Sequence, residues 1–221
     1  MATLEGIDVE IGTEAVVVTA AVPLTVVSSA VAGGGLGHAR TLVNLHVDKN
    51  GPWEGAELRL GDFVARRGLP CPWVGLMTAA WTEHARVAVE HARGVGALVV
   101  VTIGISNPAA AGVSAAAGVL PGTINAIAVL DAALEPAALV NLVITLTETK
   151  SLVLAEAGVT ADGHHATGTS TDAVVVASTG RGRALGFGGP ISDAGWVMAR
   201  AARTALTDGV RQWLAARRGG G

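Results

Sequence analysis

Between residues 166 and 178 the chain reads ATGTSTDAVVVAS, four small hydroxyl residues and one carboxylate leading straight into an apolar strand. Thr167, Thr169, Ser170 and Thr171 offer nucleophiles or hydrogen-bond donors, and Asp172 can orient a hydroxyl or accept its proton. A second polar break falls inside a long apolar segment, where Glu148 and Lys150 stand in TETKS between VITL and LVLA. Charges within a helix buried between layers need partners. Two positions apart, these two point to different faces and cannot satisfy each other. Each must find its partner elsewhere, in an active-site cleft or in solvent where the helix emerges.

Further polar residues interrupt apolar strands at their ends. Ser106 and Asn107 lie in GISNPAAAG, and Thr123 and Asn125 in PGTIN. Each alone fits a turn closed by its own side chain, but gathered at strand ends they suit a pocket on a rigid scaffold. The glycine run AGGGLGH, with Gly33, Gly34 and Gly35, could cradle an anion or amide through its N–H groups. It lacks the lysine and hydroxyl of a phosphate-binding loop and misses dinucleotide spacing. Asn44, His46 and Asp48 share one strand face that could ligate a metal. None of the six histidines pairs at zinc-helix spacing and there is no CxxC, so no metal is expected.

Bulk composition narrows the classes. With 221 residues, half of them apolar and 15% charged, the chain is expected to fold as one domain over 1–221, the GGG tail frayed. A net charge of −3, without a basic stripe, argues against nucleic acid as a partner. The single cysteine, Cys71, fits a reducing compartment and is expected to be buried. Residues 94–130 carry no Asp, Glu, Lys or Arg. Their apolar blocks are broken and shorter than the roughly 20 residues a membrane span requires. A cytoplasmic protein without a membrane span, with a homodimer possible, is expected.

The elements follow from period and punctuation. AVVVTA and LTVVSS predict two short strands, and TLVNLHVDKN another, closed by a turn at Asn50-Gly51-Pro52. GAELRLGDFVARRG has helical spacing, and WVGLMTAAW reads as a strand. The segment from Ala85 to Ser106 predicts a hairpin turning at Gly94-Val95-Gly96, and GTINAIAVL a further strand. Pro136 opens a helix, buried all round, that ends at Gly158. ALGFGG predicts a late strand, and Ser192 caps a final helix to about Arg218. The fold class expected is α+β, a layered sandwich of largely antiparallel sheet with two long helices in the C-terminal half.

In this order SSAVAGGG, VGLMTAA, TIGISNPAAAG, GTINAIAVLDAALEPAALVNLVITLTETK, ATGTSTDAVVVAS and GGPISDAGWVMARA resemble the adenosylcobinamide amidohydrolase family (CbiZ), from about Ser28 to Ala201. The resemblance implies an amide hydrolase that removes aminopropanol from adenosylcobinamide to give adenosylcobyric acid, in corrinoid salvage. The corrinoid would be the substrate and no cofactor would be required.

Amide hydrolysis needs a nucleophile or activated water, a base, and donors for an oxyanion. Thr169 or Ser170 would be the nucleophile with Asp172 beside it, Glu148 the base and Lys150 its electrostatic partner. Attack by water with Glu148 as base fits equally. N–H groups of Gly33 to Gly35, or of Gly168, would face the oxyanion. Asn44, Ser106, Asn107, Thr123, Asn125, Thr167 and Thr171, with the glycine run, would bind the corrin amides. Two alternatives stand beside this reading: a corrinoid-binding or trafficking protein without hydrolysis, and an N-terminal-nucleophile hydrolase matured by cleavage before a Thr or Ser.

Overall fold

The structure is a computed structural model describing residues 3–49, 51, 54–116 and 122–218. The strands of its main sheet are β1 (Ile7–Ile11), β2 (Ala15–Ser28), β3 (Gly35–His46), β4 (Trp73–Thr78), β5 (Arg86–Ala92), β6 (Val95–Ile103), β8 (Ile124–Asp131) and β13 (Ala173–Ser178). Two-residue strands make small additions: β7 (Pro108–Ala109), β9 (Ala133–Leu134), β10 (Thr160–Ala161), β11 (His164–His165), β12 (Gly168–Thr169) and β14 (Ala184–Leu185). The helices are α1 (Ala56–Arg66), α2 (Pro136–Glu156) and α3 (Asp193–Arg218). The main sheet runs β4-β3-β2-β13-β8-β6-β5, with β1 on β2. Most pairs are antiparallel, while β3–β4 and β13–β8 are parallel.

AVVVTA and LTVVSS form one strand rather than two. Pro23 sits where the β2–β3 register shifts between Thr19 and Leu24, and the strand bends there without ending. The first half of β2 pairs with β1, the second with β13, and β3 runs along both. The bend folds the sheet over itself. Val16, Val18, Leu42 and Leu76 of one leaf thus share a core with Leu98, Val100, Ile127, Val129 and Val175 of the other.

Alternate residues supply the outer layers. Ala15, Val17, Val43 and Leu45 pack against Leu60, Phe63 and Val64 of α1. Val99, Val101, Ala126, Ala128 and Val176 pack under α2 and α3. The order is helix, leaf, leaf, helices. Strands covered on both faces read as unbroken apolar runs, which explains the Val-rich blocks of the sequence.

Locally encoded elements match expectation. The expected β5–β6 hairpin forms, but it turns at Arg93-Gly94, both at positive φ (55° and 72°), and Val95 and Gly96 of the expected turn already belong to β6. Pro136 opens α2. Ser192 caps α3, its Oγ accepting the Gly195 N–H at 3.1 Å and donating to Gly189 O at 2.7 Å.

Other expectations change. ALGFGG forms only the two-residue β14, because β9 offers it a single short edge. Cys71 is exposed, in the loop leading to β4. Two of the three residues of the expected turn, Asn50 and Pro52, lie outside the described residues. α2 is covered on one face only; Val140, Ile144 and Leu152 stand exposed on the other. By length and composition α2 could cross a membrane, but half of its apolar window is buried in this fold.

Candidate active site

Strands β8 and β13 enter the sheet side by side and in parallel, with Ala173 opposite Asn125. The residues just before them, Gly122-Thr123 and Thr169 to Asp172, therefore meet at one end of the sheet. A third segment joins them through β7 and β12, which pair Ala109 with Gly168 and Pro108 with Thr169. Helix α2 crosses beneath and points Lys150 inward, 9% exposed.

Asp172 is the hub. Its Oδ2 accepts Lys150 Nζ at 2.5 Å and the Thr169 N–H at 3.0 Å. Its Oδ1 accepts the Ile124 N–H at 2.9 Å and lies 2.5 Å from Thr169 Oγ1. Three N–H donors hold the carboxylate and the Thr169 hydroxyl is within reach of it, so Asp172 serves as an orienting group. Gly168 makes this approach possible, because a Cβ there would lie 2.3 Å from Asp172 Oδ2 and 2.7 Å from Lys150 Nζ.

The hydroxyls converge on one carbonyl. Thr169 Oγ1 lies 2.7 Å and Thr171 Oγ1 2.9 Å from Gly122 O. Thr123 Oγ1 is 2.7 Å from Thr171 Oγ1. Each hydroxyl has one proton, so Thr169 serves either Asp172 or Gly122 O at a given moment. The arrangement is a set of hydroxyl donors aimed at a carbonyl oxygen, backed by a buried ion pair. It can polarise a carbonyl and steady the charge that develops on attack.

Beside this cluster opens a cleft of about 200 Å³, lined by Lys49, Trp81, His84, Ser106, Gly122 and Trp213 among others. Trp81, His84 and Trp213 also line a neighbouring hollow of about 300 Å³.

The model of one protein family, adenosylcobinamide amidohydrolase (CbiZ), matches residues 2–218. The chain belongs to this family. An adenosylcobinamide amidohydrolase of Halobacterium salinarum (strain ATCC 700922 / JCM 11081 / NRC-1) is 36% identical over 150 residues, 64% of this chain and 58% of that protein. The match thus spans less than two thirds of the relative's length. Among solved structures, a Burkholderia sp. beta-aminopeptidase is 15% identical, with a TM-score of 0.48 over 90% of this chain and 78% of the other. The PH0078 protein from Pyrococcus horikoshii OT3 is 12% identical, with a TM-score of 0.49 over 91% and 78%.

In this CbiZ-family chain, Lys150, Thr169, Asp172, Thr123 and Thr171 of the expected residues come together. Ser170 is exposed at the rim, its Oγ accepting the Asn107 amide at 2.6 Å. Ser106 lies on the cleft wall. Thr167 ties the hydroxyl loop to its neighbour, accepting the Ala111 N–H at 3.0 Å.

Other expected residues lie apart. Glu148 is exposed in a hollow between α2 and α3, with Trp196, Arg200 and Arg203. Lys150 therefore pairs with Asp172, and the helix carries Glu148 away from the hydroxyls. Asn44 and Asn125, 2% and 1% exposed, do not reach solvent. Asn125 donates to Asn44 Oδ1 and to Met77 O, both at 2.9 Å, and Asn44 donates to Thr102 Oγ1 at 2.9 Å. They bolt the two leaves together directly below the cluster. A Cβ on Gly33 would meet Trp73 O at 2.9 Å and one on Gly34 would meet Ala30 O at 2.5 Å, so this turn packs on β4. Gly35 already belongs to β3. Among the described residues, none of the donors to Asp172 or Gly122 O named above comes from this turn.

His46 is engaged within the fold: Nδ1 is 3.0 Å from Ala80 O and the ring stacks on Trp81 at 5.0 Å. Sequence reasoning missed the cleft's aromatic walls, Trp81 and Trp213, and the Gly122 carbonyl. A backbone acceptor carries no residue-type signal at all.

Proposed function

We propose that this protein hydrolyses the amide that links aminopropanol to the corrin ring of adenosylcobinamide, releasing adenosylcobyric acid in cytoplasmic corrinoid salvage. Membership of the family supports the substrate class. The observation that carries the chemistry is the Lys150–Asp172 pair steering the Thr169 hydroxyl, with Thr171, toward a carbonyl at the edge of a cleft.

In this reading the substrate's scissile carbonyl takes the position where the two hydroxyls now converge. A hydroxyl of the cluster attacks the carbonyl carbon while hydrogen bonds from the others hold the oxyanion. The C–N bond then breaks, the hydroxyl proton passes to the departing amine of aminopropanol, and water hydrolyses the ester to the corrinoid carboxylate and the free hydroxyl. Lys150 holds Asp172 in place, and Asp172 keeps Thr169 aimed. Trp81 and Trp213 offer flat apolar walls to the corrinoid, while Ser106 and Asn107 meet its amide fringe. Groups of the chain itself carry every step, without a resident metal.

Mass-spectrometric assay of the purified protein with adenosylcobinamide, with and without a chelator, tests this. The expected result is adenosylcobyric acid and free aminopropanol in both samples. Corrinoid that binds but stays intact would replace the proposal with a binding or trafficking role. Turnover that stops with chelator would overturn the metal-free chemistry.

A further inference from the structure

We propose that the chain cuts its own peptide bond between Gly122 and Thr123, and that Thr123 so becomes an N-terminal nucleophile. The second half rests on the hydrolase reading above; the first stands without it. The carbonyl that the hydroxyls grip is not a substrate's but the chain's own, and the residue that follows it bears a hydroxyl.

Four contacts pin the bond. Gly122 O is approached by Thr169 Oγ1 at 2.7 Å and Thr171 Oγ1 at 2.9 Å. Thr123 O accepts the Gly104 N–H at 3.0 Å. The next N–H, of Ile124, donates to Asp172. Gly122 has φ +143°, which L side chains rarely adopt, and a Cβ there would lie 2.2 Å from Asn107 Oδ1 and 2.4 Å from Ser106 Oγ. Only glycine fits before the bond. Thr123 is 3% exposed, and its hydroxyl is held on Thr171, the same hydroxyl that reaches Gly122 O.

The chemistry balances within the chain and one water. Thr123 Oγ1 attacks the carbonyl carbon of Gly122, forming a C–O bond, and the oxyanion rests on the Thr169 and Thr171 hydroxyls. The C–N bond then breaks, and the hydroxyl proton passes to the departing nitrogen of Thr123. Water entering from the cleft beside Gly122 hydrolyses the ester. A carboxylate is left on Gly122, and a free hydroxyl and α-amino group on Thr123. That amine can serve as base for its own hydroxyl. Departure of Gly122 would empty the position at which the hydroxyls converge, the position assigned above to the substrate's carbonyl.

Intact mass and N-terminal sequencing of the purified chain test the proposal without any corrinoid. Two associated polypeptides are expected, one ending at Gly122 and one beginning Thr123-Ile124-Asn125. Thr123→Ser should still be cut, Thr123→Ala should stay whole, and Thr171→Val should be cut roughly 10²-fold more slowly. A wild-type chain that remains a single 221-residue polypeptide on prolonged incubation overturns the proposal. So does a Thr123→Ala chain cut at the same bond. Because Thr123→Ser preserves the hydroxyl, it controls for misfolding of the alanine variant. A cut chain that leaves adenosylcobinamide intact would count against the hydrolase reading alone; an uncut chain that turns it over would count against this one alone.

Discussion

Lys150 in the third turn-pair of α2 and Asp172 just before β13 meet at 2.5 Å, with side chains only 11% and 9% exposed. A buried ion pair gains little net stability over apolar packing, yet losing one partner strands a charge. Lys150→Met should therefore cost about 3–5 kcal/mol in a urea titration. A variant as stable as the parent would mean that Asp172 finds solvent or another donor in place of Lys150.

Gly168 gives a gentler probe of the same pair. Its φ is not positive, so alanine is acceptable to the backbone, but the added Cβ pushes into Asp172 Oδ2 and Lys150 Nζ. Gly168→Ala should fold with a loss of about 1–3 kcal/mol, while kcat falls far more than KM rises. Equal kcat would show that the spacing of the pair does not matter to turnover.

The Asn125–Asn44–Thr102 chain predicts a purely structural effect. Asn125→Ala strips partners from Asn44, Met77 O and the Ala173 N–H. Stranded buried groups cost about 1–3 kcal/mol each, so the melting temperature should drop clearly. An unchanged melting temperature would mean that water replaces the amide.

Glu148 separates two accounts of the acid–base chemistry. Its neighbours are Trp196, Arg200 and Arg203 rather than the hydroxyl cluster. Glu148→Gln should leave turnover within about twofold, on the usual scale of surface changes. Abolished turnover in a folded variant would return Glu148 to the role of base.

Legibility followed the range of the interaction that decides each feature. The β5–β6 hairpin (though not the exact place of its turn), the Pro136 start of α2 and the Ser192 cap are decided within a few residues and could be read directly. The continuity of β2 across Pro23 could not, because partners on both edges, β13 and β3, override the local break. The hydroxyl run, Lys150 and Asp172 stood out by residue type in an apolar chain. Their pairing across 22 residues did not, since helix periodicity says only that Glu148 and Lys150 diverge, not which of them faces inward. Asn44 and Asn125, 81 residues apart, looked like pocket residues for the same reason: a polar residue at a strand end looks identical whether it faces a ligand or another leaf.

The central claim is that the Asp172 cluster carries amide hydrolysis. The most direct measurement compares wild type and Asp172→Asn for release of aminopropanol from adenosylcobinamide. Folding would be checked by circular dichroism and corrinoid binding by absorbance. The account predicts product from the wild type and at least about 10²-fold less from Asp172→Asn, with binding within a few fold. Equal turnover by a folded Asp172→Asn chain would contradict it.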